Sequence, residues 1–104
     1  MKIYRHGDVV IKQIAKLPKG LKKKSDTIVA YGEATGHNHK LVELDLGTLD
    51  VFQGKDGKIY FTATQQVNIQ HQEHKTITID PGSFVIDIER ERDPFLEQIK
   101  QVID

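Results

Sequence analysis

The sequence contains no cysteine in 104 residues, which removes disulfides, thiolate metal sites and cysteine nucleophiles together. Long apolar runs are missing too. Stretches such as Val9-Val10-Ile11 fall far short of the roughly 20 apolar residues that a membrane-crossing helix needs. No apolar segment of signal-peptide type follows Met1 to Asp8, so the expectation is a cytoplasmic protein. There is no Walker A pattern, no Gly-x-Gly-x-x-Gly and no Gly-x-Ser-x-Gly, which leaves out the usual phosphate cradles and nucleophile elbows. Net charge is zero, but unevenly spread. Residues 1–24 carry a balance of +7 and residues 80–104 one of −4. A local site for a small anion fits that asymmetry better than a long track for duplex DNA. Mutual neutralisation of the two ends on the folded surface explains it equally well.

Residues of types A, V, I, L, M, F, W, Y and C make up 38% of the chain, and the eight glycines bring this to about 46%, within the range of packed globular domains. The length suits a single domain over residues 1–104. Periodicity is mostly two: strands are expected over residues 8–14, 27–31, 40–44, 48–53, 58–64, 67–71, 76–79 and 84–89. Asp56-Gly57 between two of these marks a tight hairpin. Asp93-Pro94 reads as a helix start, with Phe95, Ile99 and Val102 or Ile103 as the apolar stripe of about three turns. The expected fold is mainly β: a small antiparallel barrel or sandwich of about seven short strands with one C-terminal α-helix. Open edges in so small a sheet favour a homodimer.

Chemistry is concentrated in the histidines. Four of the five form two pairs, His37-x-His39 and His71-x-x-His74. Imidazole serves near neutrality as general acid or base and as a metal ligand. Histidines exposed in polar loops can also lack any role, but Gly32 and Gly36 beside the first pair would let backbone approach a ligand. Metal-free cleavage of an RNA phosphodiester needs a base for the 2′-hydroxyl, an acid for the leaving oxygen and cations around the phosphorane. His37 and His39 facing His71 and His74 would supply the first two, and Arg5, His6, Lys40 and Lys75 the binding charge and hydrogen bonds, with no cofactor and no metal. Arg5-His6-Gly7-Asp8 itself reads as a turn with an Arg5–Asp8 surface ion pair. A second reading is metallic. His37-Asn38-His39-Lys40-Leu41-Val42-Glu43 has the His-x-His-x-x-x-Glu spacing of the first cupin motif, but no histidine follows Pro81-Gly82, where the second cupin motif places one. A set of His37, His39, His74 and either Glu43 or Glu73 suits a first-row metal. A third reading is an anion-binding module without turnover.

Arg5-His6-Gly7-Asp8-Val9, Gly32-Glu33-Ala34-Thr35-Gly36-His37-Asn38-His39, His71-Gln72-Glu73-His74 and Pro81-Gly82 together resemble the small standalone ring nucleases associated with type III CRISPR systems, over most of the chain. The resemblance implies a homodimeric β-rich enzyme that opens cyclic oligoadenylate, or a similar small RNA ligand, into linear products. Phage or plasmid copies would then act as anti-CRISPR factors.

Overall fold

A computed structural model describes residues 1–31, 37–72 and 74–88. These form β1 (Ile3–His6), β2 (Val9–Ile14), β3 (Lys22–Lys23), β4 (Ile28–Tyr31), β5 (Asn38–Glu43), β6 (Leu49–Gln53), β7 (Ile59–Ala63), β8 (Val67–Gln70), β9 (Ile77–Ile79) and β10 (Gly82–Ile88). Each strand pair is antiparallel. Two sheets result, one in the order β1-β2-β10-β7-β6-β3 and one in the order β4-β5-β8-β9.

The mainly β, antiparallel architecture is therefore observed. Of the two expected forms the barrel is not observed, since the sheets remain separate, and among the described residues ten strands stand where eight stretches were expected. The extra strands are short or polar: β1 mixes Ile3 and Tyr4 with Arg5 and His6, and β3 is two lysines paired with Gln53 and Phe52. The expected helix after Asp93 lies outside the described residues, among which no helix is long and apolar enough to cross a membrane.

Alternation along the strands gives each sheet an apolar inner face. Val9, Ile11, Val51, Phe61, Phe84 and Ile86 from the larger sheet share one buried cluster with Val29, Leu41, Val67, Ile69 and Ile79 from the smaller. Removing each such side chain from water contributes about 1.5–3 kcal/mol. Phe61 and Phe84 stack at its centre, with ring centroids 4.9 Å apart. The tight hairpin forms as expected: Gly57 takes φ 80°, and the Asp56 carboxylate accepts the Lys58 amide at 3.0 Å.

Lys2 pairs with Asp80, while Lys12 and Lys58 both reach Asp87, at 3.1 and 3.2 Å. Basic residues near the start of the sequence thus meet acidic ones near its end, and part of the charge asymmetry is neutralised on the folded surface.

Candidate metal centre

The smaller sheet turns from apolar to imidazole at one end. β5 and β8 pair from Glu43 opposite Val67 to Lys40 opposite Gln70, which sets buried Leu41 against buried Ile69. One step further along the same inward rows stand His39 and His71, with ring centroids 4.4 Å apart. Period-two alternation that fills the core with Leu41, Val67 and Ile69 therefore also points these two rings inward. The loop after β8 is tied back by Gln72, whose side-chain oxygen accepts the Asn38 amide at 3.0 Å. It returns His74 to within 4.7 Å of His71 and 5.8 Å of His39, centroid to centroid.

The larger sheet contributes the β1–β2 hairpin. His6 pairs with Val9 across the two-residue turn Gly7-Asp8, and Gly7 has φ 63° at the first turn position, which a II′-type hairpin reserves for glycine. The missing Cβ also makes room. One built on Gly7 would lie 2.7 Å from His74 Nε2 and 3.2 Å from His39 Cε1.

His6 and His39 are 3% and 1% exposed. The His6 Nε2–H donates to the Lys75 carbonyl at 2.7 Å, because a carbonyl can only accept. Neutral His6 then has its lone pair on Nδ1, which accepts the His39 Nδ1–H at 2.9 Å. The relay leaves His39 Nε2 bare, 3.3 Å from an Asp8 carboxylate oxygen. Burial pushes the His6 pKa down, against the bond to the Lys75 carbonyl and with repulsion from His74 and His71. Burial likewise takes His39 down to about 4, helped by His71, His6 and His74 and opposed by Asp8. Both rings are neutral at pH 7.

Ligand atoms of His39, His71 and His74, which run from buried to exposed, all lie within 4.8 Å of one another. Imidazoles converging from two strands and a loop suit a first-row divalent ion such as zinc.

His39, His71 and His74 thus come together, and His37 stands at the margin, 5.7 Å from His71 between centroids. His6, expected to contact ligand from the surface, is a buried partner of His39. Arg5 and Lys40, one residue from His6 and His39 on their strands, are exposed on the opposite side by alternation. Lys75 is exposed, and its carbonyl serves His6. Glu43 is no partner of His39. Four residues of strand span about 13 Å, and its carboxylate accepts the Gly47 and Thr48 amides at 3.1 and 3.2 Å instead. The cupin-like spacing therefore does not supply a ligand set, and His71 takes the place proposed for His37. Glu73 lies outside the described residues. Asp8, assigned from sequence to an ion pair with Arg5, belongs to the cluster. The sign available for it was the Gly-Asp pair of a hairpin turn, which places Asp8 close behind His6.

No curated protein and no solved structure matches the chain. One family model does, over residues 5–89, a span that holds all five histidines and Asp8. Its description assigns no chemistry, so the ring-nuclease resemblance gains no support from it. The chain belongs to the family described as a domain of unknown function, DUF8820.

Proposed function

We propose that the protein is a metalloprotein whose working centre is a divalent first-row transition ion, zinc foremost, held by His39, His71 and His74. The convergence of their ligand atoms within 4.8 Å carries the reading. Exposure of His74 gives the ion a side that faces solvent, where a water or a substrate oxygen can meet it and be polarised. For the substrate, the resemblance points to a phosphodiester of cyclic oligoadenylate or a similar small RNA, with the ion taking the role of the cations around the phosphorane. Tag-free protein purified without chelator is expected to carry about one equivalent of metal per chain, lost in His39→Ala. Metal-free protein that takes up no zinc, cobalt, nickel, iron or manganese would end this reading.

A metal-free acid–base phosphodiesterase is the second reading. It is favoured by half-buried His71 and exposed His74, two imidazoles with centroids 4.7 Å apart beside exposed Lys75. Incubation with cyclic tetra- and hexa-adenylate separates the two: linear products that persist in excess chelator support acid–base chemistry, and products that require added metal support the metal centre. Tight binding without products at any metal loading leaves the anion-binding module. The homodimer would cover one of the sheet edges β1, β3, β4 or β9, and sedimentation of the same samples tests it.

A further inference from the structure

We propose that Asp8 is the fourth protein ligand, so that one ion joins the β1–β2 turn of the larger sheet to β5 and the loop after β8 in the smaller. The inference rests on the metal reading above and adds a ligand that neither histidine pair suggests.

Three observations converge on it. His39 Nδ1 is engaged by His6, itself anchored on the Lys75 carbonyl, so Nε2 is the nitrogen left for a further partner, and it faces the Asp8 carboxylate at 3.3 Å. Secondly, the separation has the right size. Bonds of about 2.0–2.1 Å in tetrahedral array put neighbouring donors about 3.3–3.4 Å apart. Thirdly, His74 lies directly against the turn that carries Asp8, since a Cβ on Gly7 would meet its Nε2. The turn that carries Asp8 is thus in contact with His74 as well as with His39.

The relay itself has the form expected around a bound metal. A ligating histidine ordinarily donates its second ring N–H to an outer partner that fixes its tautomer, and His6 does this for His39. His6 is accordingly a positioning residue, and Asp8 a ligand. The Asp8 side chain is 37% exposed, so a substrate oxygen can enter beside it as a fifth donor.

The test is zinc titration of chelator-stripped protein against a chromophoric competitor, with Co²⁺ spectra in parallel, for wild type, Asp8→Asn and His6→Gln. Asp8→Asn is expected to weaken zinc at least 10-fold and to change the Co²⁺ d–d bands. His6→Gln should weaken zinc by about 10–100-fold, the usual cost of losing an outer partner, with the wild-type band pattern kept. Asp8→Asn that binds within about threefold of wild type with the same Co²⁺ spectrum overturns the inference and leaves the three-histidine site standing. Wild type that binds neither ion overturns the parent reading instead. A zinc-loaded crystal structure of wild type needs no variant: an Asp8 oxygen at about 2.0–2.2 Å from the ion is expected, and water at that position refutes the assignment.

Discussion

Leu41 and His39 stand two residues apart on β5, face the same way and are each 1% exposed, yet burial makes opposite demands on them. Leu41 sits among Val67, Ile69 and their neighbours and is satisfied by burial alone. His39 needs a partner for each ring nitrogen, because an imidazole without one forfeits its hydrogen bonds to water. Its Nδ1 is met by His6 and its Nε2 faces Asp8. The same strand alternation builds both regions. What differs is tolerance: an apolar interior accepts side chains of similar volume, whereas the imidazole end depends on individual atoms. Stability should therefore reside mainly in the first region and ligand chemistry in the second.

The largest effect tests that division from the apolar side. Phe61 is fully buried and stacked on Phe84, so Phe61→Ala should cost about 3–5 kcal/mol in a urea titration. Metal bound per folded chain should stay at the wild-type level. Loss of metal by the folded variant would show that the two regions are one cooperative unit.

Acid tests it from the imidazole side, using protein stripped of metal. Burial holds the folded His39 at about 4, below its ordinary 6.5, and lowers His6 as well. Below the ordinary value the unfolded chain binds more protons than the folded one, so unfolding becomes easier as pH falls. The stabilisation is complete above about 6.5 and is lost progressively toward about 4. Urea midpoints stepped through this window should fall in parallel for wild type and Phe61→Ala, and should flatten in the double variant His6→Leu, His39→Leu. An unchanged slope in the double variant would move the acid sensitivity elsewhere in the molecule.

Legibility in the sequence divides along the same line. The β6–β7 hairpin was readable because its determinants are local: the Asp56 carboxylate caps the turn and Gly57 adopts the positive φ. Apolar alternation likewise gave most strands of both sheets. β3 was not readable, since two lysines have no pattern and are held by backbone pairing with β6 and by Lys23 on Asp50. In the site, the two histidine pairs were visible as short spacings. His6 was visible as part of a third polar cluster, but its burial against His39 and the place of Asp8 beside them were not. His6 and His39 are 33 residues apart in the chain and meet through the packing of two sheets, for which no spacing rule exists. Glu43 fails in the reverse sense: its spacing matched a motif, but an extended strand carries it away from His39.

The smallest of these effects isolates the junction between the regions, and it uses two glycines with nearly the same backbone. Gly7 and Gly57 have φ 63° and 80°, so alanine at either position is strained by about 1–3 kcal/mol. Their surroundings differ. A Cβ on Gly57 meets nothing within 4 Å, whereas one on Gly7 falls 2.7 Å from His74 Nε2 and must displace that ring. Gly57→Ala should therefore lower the urea midpoint and leave zinc affinity untouched, while Gly7→Ala should lower both. The difference between the two variants, with backbone strain common to each, reports the contact of His74 with the turn. Equal zinc affinity in the two would mean that the His74 ring finds the ion without resting on Gly7, and that the close approach belongs to the packing of the hairpin rather than to the site.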